Sequence, residues 1–235
     1  MVNNFSYRRA LIKISGDTFG TPRDMNISLL QQLVHEISTL QPHVELSFMI
    51  GGGNLFRGRD PIPGIAPIVV DKIGMISTLI NALIFEHLLE RHNIPTVIMS
   101  ALPVAQLAEG YVRERAIQYL ESKYVVLFAM GLGSPFFTTD TAAVLRAAEL
   151  HADVMIKGSK VDGVYDSDPN ENPYAKMFTE LTFDEALHRN LRVMDRTAFA
   201  LAAEQKIPII VLNIMKGGNL TRALQGDKVG TLLHK

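Results

Sequence analysis

Four stretches carry residue types suited to handling phosphate. In ALIKISGDTFG, Lys13 stands inside an apolar run that ends at Ser15 and Gly16. A lysine there sends its ammonium toward the strand's carboxyl end, to face an anion or to snorkel into solvent. In IGGGNLFRG (Ile50 to Gly58), three consecutive glycines disfavour any regular element, so something requires bare backbone. Successive N–H groups at Gly51–Gly53 can form an anion-binding nest. Arg57 adds a planar, bidentate donor suited to phosphate. A plain glycine turn between strand and loop is the alternative. Gly53 and Gly58 also match P-loop spacing, but Arg59 and Asp60 replace its Lys and Ser/Thr. Pro61, Pro63, Gly64 and Pro67 then stand where a P-loop needs a helix to begin.

The third stretch, GLGSPFFTTDTAAVLRA (Gly131 to Ala147), follows the apolar run YVVLFA and opens a helix. Thr138, Thr139 and Asp140 occupy capping positions, a role worth about 1 kcal/mol. Capping explains one threonine more readily than a glycine turn, two threonines and an aspartate together. GLGSPF has Phe136 where a dinucleotide fingerprint needs its third glycine, which disfavours a dehydrogenase. The fourth stretch, KGSKVDGVYDSDP, places Lys157, Ser159 and Lys160 at a strand end, followed by Asp166 and Asp168. Glu171 and Met177 fall where a calcium loop needs Gly and Glu, so turn chemistry and solvated lysines are the plain alternatives. His87, Glu90 and His92 do not match H-E-x-x-H, and no G-x-S-x-G elbow is present.

The rest of the chain must position these groups. Its 235 residues are enough for a substantial core, and 47% are hydrophobic. A formal net charge of -1 gives no general attraction to nucleic acid or anionic membrane. The absence of cysteine excludes disulfides, a thiolate nucleophile and Cys-ligated metal. The polar, basic N-terminus does not read as a signal peptide, and no apolar run approaches the roughly 18 residues that span a bilayer. The expectation is a soluble, cytoplasmic protein.

Strand-like runs fall at Ala10–Ser15, Val44–Ile50, Thr96–Ser100, Tyr124–Ala129, Asp153–Lys157 and Ile207–Asn213. Between them lie helical stripes such as Leu29, Leu30, Leu33, Val34 and Ile37, or Ile76, Leu79, Ile80, Leu83 and Leu88. Such alternation predicts βαβ units and a mostly parallel sheet, with ligands outside the strands' carboxyl ends. Arg57–Pro67 reads as a loop and Val161–Phe183 as a hairpin or irregular excursion, in one domain over 1–235. A long helix over Asp71–His92 is more apolar than one buried stripe requires, which points to a subunit contact.

Together KISG, IGGGNLFRG, GSPFFTTDTAA, KVDGVYDSDP and VMDRTAFALA resemble the amino acid kinase superfamily, most closely its bacterial uridylate (UMP) kinase branch. The resemblance spans about Tyr7 to Leu233. It implies a three-layer αβα sandwich around a mostly parallel central sheet, and a UMP kinase reaction in which ATP and UMP meet above its carboxyl edge. It places Lys13, Ile14, Ser15, Gly16, Gly53 and Arg57 at the ATP phosphates, and Ser159, Tyr165 and Asp168 around the ATP nucleoside. Gly52 and Asp71 would hold UMP, with Leu132, Gly133, Ser134, Pro135, Phe136, Phe137, Thr138 and Thr139. Lys13, Arg57, Asp140 and Asp195 would be catalytic, with Asp140 the metal candidate through Mg²⁺-ATP. A homohexamer and GTP or UTP effectors are implied as well.

The sequence departs from the family pattern at Asp17, Leu132, Ser134 and Ser159, where Glu, Thr, Asn and Thr are usual. Leu132 removes a hydroxyl from the acceptor turn. The chemistry needs no catalytic base, because a nucleoside monophosphate is largely a dianion above its second pKa near 6. Positioning and charge neutralisation are then the main tasks. Alternatives are a superfamily kinase with a carboxylate, carbamate or isoprenoid phosphate acceptor, or a non-catalytic nucleotide-binding regulator.

Overall fold

The computed structural model describes residues 5–58, 60, 62–191 and 193–235. Arg59 and Pro61, both part of the expected loop, lie outside the described residues. The strands are β1 (Arg9–Ile14), β2 (Gly20–Thr21), β3 (Asp24–Met25), β4 (Glu45–Ile50), β5 (Thr96–Ser100), β6 (Glu109–Gly110) and β7 (Val125–Ala129). They continue with β8 (Val154–Ser159), β9 (Val164–Tyr165), β10 (Met177–Phe178), β11 (Glu180–Thr182), β12 (Ile209–Asn213) and β13 (Thr231–His234). The α-helices are α1 (Ile27–Leu40), α2 (Pro67–Glu90), α3 (Arg113–Glu121), α4 (Thr139–Glu149), α5 (Phe183–His188), α6 (Arg196–Gln205) and α7 (Asn219–Leu224).

Nine strands form the main sheet in the order β11-β13-β12-β8-β1-β4-β7-β5-β6. Every neighbouring pair is parallel except β12 with β13. Residues of β4 and β7 are buried throughout, as continuous apolar runs covered on both faces should be. Alternating β1 residues feed two cores. Ala10, Ile12 and Ile14 join residues of α1, α2 and α7, whereas Leu11 joins those of α3, α4, α5 and α6. This is the expected αβα layering. β1 sits between β4 and β8, so Lys13 and the Ser15 turn open from the middle of the sheet.

The expected strand cores are present, with ends displaced by a residue or two. Short β6, β11 and β13 carry too little pattern to have been read. Val161–Phe183 contains the two-stranded β9–β10 ladder and β11. The largest correction concerns α2. It begins at Pro67, whose fixed φ suits the first helical position, rather than at Asp71. Ile76 and Ile80, expected on a buried stripe, are exposed. The inward face instead carries Ser77, Thr78, Leu79, Asn81, Ala82 and Phe85, because glycine-rich backbone approaches it closely. By length and composition α2 could cross a membrane, contrary to the sequence reading, although one side packs on the sheet.

Phe85 is fully buried and meets Phe19 and Phe48 edge-on, with centroids 6.0 and 5.6 Å away. Phe85→Ala should cost about 3–5 kcal/mol in urea unfolding. Burial, reinforced by the charge of Glu90 and opposed by the Ile98 backbone donor, raises Glu86 to about 7. The folded state therefore holds a proton that the unfolded chain has lost above its ordinary 4.5. Stability should fall as pH rises from 5 to 8, and Glu86→Gln should flatten that slope in urea titrations.

Candidate active site

Three parallel strand ends and the turn after β7 converge on one edge of the sheet. Lys13, the penultimate residue of β1, is buried with its Nζ 3.0 Å from Asp140 Oδ1. Lys157 of β8 donates to Asp140 Oδ2 from the other side. Asp140 itself lies in the first turn of α4, where Thr138 caps the helix by accepting from the Asp140 and Thr141 N–H groups at 3.1 and 3.2 Å. Burial would raise the Asp140 carboxyl, but the two ammonium groups overcome it and hold the group well below the ordinary carboxylate range. Burial lowers Lys157, and neighbouring Lys13 adds to that, while Asp140 and Asp195 oppose it. The carboxylate thus offsets part of the cost of placing two lysines side by side out of water.

The glycine turns meet beside this cluster. Gly51 N–H donates to the Ile14 carbonyl at 2.8 Å; the Ile14 side chain is core, so only its backbone belongs to the site. A Cβ on Gly16 would overlap the Gly53 nitrogen, and one on Gly52 would lie 2.7 Å from the Thr78 nitrogen of α2. Bare backbone is required by close approach on both sides. Ser15 Oγ lies 3.5 Å from Thr18 Oγ1. Arg57 folds back over the turn, with Nε 3.2 Å from the Gly53 carbonyl and its guanidinium 3.1 Å from Asp17 Oδ1. Lys160 Nζ is 3.9 Å from the same aspartate.

The acceptor-side turn is strained and held by α2. Met130 and Phe136 adopt φ of 63° and 70°, costly for side chains of their kind. Thr78 Oγ1 accepts from Met130 N–H at 2.7 Å, and Asp71 Oδ2 accepts from Phe136 N–H at 2.8 Å. Asp71, Leu132, Ser134, Phe137 and Thr139 line a cavity of about 90 Å³. Gly133 forms the bend, also with positive φ, while Phe136 beside Pro135 is 75% exposed.

Lys13, Thr138, Thr139, Asp140 and Asp195 line a second cavity of about 470 Å³. A third, of about 560 Å³, is lined by Lys157, Ser159, Tyr165 and Asp168. Thr139 is shared by the first two, and Asn190, Leu191 and Val193 by the last two. The three form a continuous row with the Lys13–Asp140–Lys157 cluster at its centre. Ser159 Oγ and Asp168 Oδ1 accept local N–H groups from Val161 and Asn170.

Among the matched segments is everything that forms this row up to β12. A model of the amino acid kinase family matches residues 8–213. The chain belongs to the amino acid kinase family. Among solved structures it is similar to a UMP kinase from Bacillus anthracis, with 37% identity, 97% of this chain and 96% of that chain covered, and a TM-score of 0.92. It is also similar to a UMP kinase from Ureaplasma parvum, at 33% identity over 97% and 99% of the two chains, with a TM-score of 0.89. A uridylate kinase from Archaeoglobus fulgidus, 23% identical with a TM-score of 0.74 over 95% and 99% of the chains, shares the fold.

Two placements differ from the roles suggested by sequence. Asp195, read as a catalytic acid, caps α6 by accepting from Ala198 N–H at 3.0 Å. It also accepts from the hydroxyls of Thr138 and, at 2.9 Å, Thr141, so its carboxylate is occupied in joining α4 to α6. Solvation is the plain alternative for Lys157, but its side chain is only 14% exposed and lies in the central cluster. Its position one strand from Lys13, in register with it, was the missing signal.

Among the described residues no group of three His, Cys, Asp or Glu could hold a metal. Asp140 Oδ1 is buried without a hydrogen-bond partner among them, its 3.0 Å ion pair to Lys13 being poorly directed. One carboxylate flanked by two ammonium groups suits a Mg²⁺ already carried by phosphates, which is this ion's usual mode.

Asp140→Asn leaves both lysines without their counter-charge. It should cost about 3–5 kcal/mol at neutral pH in denaturant titrations. The penalty should vanish as wild-type Asp140 protonates in strong acid, and shrink in alkali as Lys157 loses its proton.

Proposed function

We infer that the protein transfers the γ-phosphoryl group of ATP to UMP, giving UDP and ADP. The observation that carries this reading is the buried Lys13–Asp140–Lys157 cluster, midway along a row of cavities in a chain similar to two UMP kinases. The two larger cavities, of about 470 and 560 Å³, are of a size for small-molecule ligands, and the 90 Å³ cavity for one end of a ligand. The small cavity at Asp71 and Leu132 takes the acceptor end, and the cavity at Ser159, Tyr165 and Asp168 takes the ATP nucleoside.

A UMP phosphate oxygen attacks the γ-phosphorus while the bond to the ADP oxygen breaks, and the electron pair leaves with ADP. No side chain need remove a proton first, since the acceptor phosphate is already largely dianionic. The work is to hold two polyanions together and to stabilise charge on the transferred group. Lys13 and Lys157 place positive charge at the centre of the row. Arg57 and Gly53 bind donor phosphates, with Arg57 exchanging Asp17 for them, and Gly52 faces the UMP phosphate across the same nest. Asp140 keeps the lysines charged and aligned, and Asp195 positions the α4 terminus. When bound with ATP, Mg²⁺ supplies further charge neutralisation, with Asp140 the one cluster carboxylate able to reach it.

The whole chain acts as a single amino acid kinase-like unit in this reading, in the cytoplasm and in pyrimidine nucleotide biosynthesis. The exposed Ile68, Val69, Ile73, Ile76 and Ile80 on α2 make one apolar face, suited to burial against another copy in a homohexamer. GTP and UTP are proposed effectors of that assembly. Light scattering after size exclusion checks the assembly: a hexamer is expected, and Ile76→Lys with Ile80→Lys should shift it to smaller species.

A coupled assay with ATP and each nucleoside monophosphate tests the reaction. UMP should be turned over faster than CMP or dUMP, and faster than acetylglutamate, aspartate or carbamate. Lys13→Ala should lower kcat by on the order of 10²-fold or more while circular dichroism stays unchanged. Equal or absent UMP turnover would refute the assignment.

A further inference from the structure

We propose that Asn81, in the middle of α2, is a positioning residue that sets the direction of the phosphate-facing N–H groups in the glycine nest. It is wholly buried, on a helix otherwise dominated by apolar residues. Its polar neighbours on the inward face, Ser77 and Thr78, return their hydroxyls to carbonyls of α2, at Ile73 and Met75. Asn81 does the opposite. Its Nδ2 donates outside the helix, to the Gly51 carbonyl at 2.7 Å and to Asn54 Oδ1 at 2.8 Å.

The Gly51 carbonyl is the informative partner. Gly51 N–H is already tied to Ile14 of β1 at 2.8 Å, so Asn81 fixes the other side of the same residue. A trans peptide is planar, with its C=O and N–H pointing in opposite directions. Pointing the Gly51 carbonyl at α2 therefore aims the Gly52 N–H away from α2, toward the site. Neither Gly52 N–H nor Gly53 N–H has an acceptor among the described residues. Glycine stands on both sides of the Gly51–Gly52 peptide, so no Cβ opposes its reversal. A nest built from glycine for close approach needs an external tie to keep its donors aligned, and Asn81 provides it. Asn54, held by the same amide, carries the constraint to the residue after Gly53.

The proposal rests on the reading that the Gly51–Gly53 nest faces phosphate, Gly53 that of ATP and Gly52 that of UMP. The test therefore separates donor binding from turnover. Affinity for the non-hydrolysable analogue AMP-PNP with Mg²⁺ is measured by calorimetry on Asn81→Ala, alongside KM for ATP and UMP. The variant should bind AMP-PNP on the order of tenfold or more weakly, as for loss of hydrogen bonds to a charged group. KM for UMP should rise as well, because Gly52 belongs to the same nest, and hydrogen exchange in the segment 51–54 should accelerate. Unchanged AMP-PNP affinity, or unaltered hydrogen exchange at 51–54, overturns the role of Asn81. Wild-type protein that binds AMP-PNP yet does not phosphorylate UMP overturns the acceptor assignment and leaves the Asn81 test intact. If Asn81→Ala does not fold, Asn81→Asp carries the test, because its carboxyl can donate to Gly51 only when protonated. Its AMP-PNP affinity relative to wild type should rise from pH 8 to pH 6, and a constant ratio overturns the proposal.

Discussion

The site depends on one carboxylate shared by two buried ammonium groups. Lys13 and Lys157 occupy matched positions on adjacent parallel strands, so sheet geometry alone brings two positive charges close together out of water. Neither burial nor mutual repulsion favours that arrangement. Asp140 makes it tenable by approaching from the first turn of α4 with one oxygen toward each lysine. Two lysines thus share one carboxylate. The position of α4 matters for the same reason. Thr138 caps it, and Asp195 ties Thr138 and Thr141 to the start of α6. A displacement of α6 would therefore be felt at the lysines through two helix termini.

Much of the architecture was legible because parallel strands buried on both faces must be continuous apolar runs. VELSFMI and YVVLFA could hardly be anything else. The glycine turns were legible because bare backbone has few other uses at consecutive positions. What escaped was information held between elements rather than within them. Nothing along the sequence reveals that Lys13 and Lys157 stand side by side, since strand order sets that. The hydroxyls that Asp195 accepts from lie more than fifty positions away, so its link to α4 was hidden, whereas its cap on Ala198 is local. The α2 stripe was misread for a related reason. Ile76 and Ile80 look like core residues by hydropathy, but at this level of the helix glycine backbone lies against Ser77 and Thr78 of the inward face. Small and polar residues fit there, and the isoleucines are displaced outward.

That inward face explains how loops of high intrinsic freedom become a defined site. Asp71, Thr78 and Asn81 fall on one side of α2, and between them they capture backbone from two loops, the first two from the turn after β7 and Asn81 from the turn after β4. Asp71 holds Phe136 N–H and Thr78 holds Met130 N–H, the two left-handed non-glycine residues of the acceptor turn. Asn81 holds the Gly51 carbonyl of the glycine turn after β4. Strain and flexibility are opposite liabilities, yet the remedy is the same, a polar side chain from one rigid helix. Because a single helix spans both turns, donor and acceptor ends share a common reference, and the distance between them is set by helical rise. For a reaction whose barrier is lowered mainly by alignment and charge, a shared rigid template serves better than separate supports for each loop.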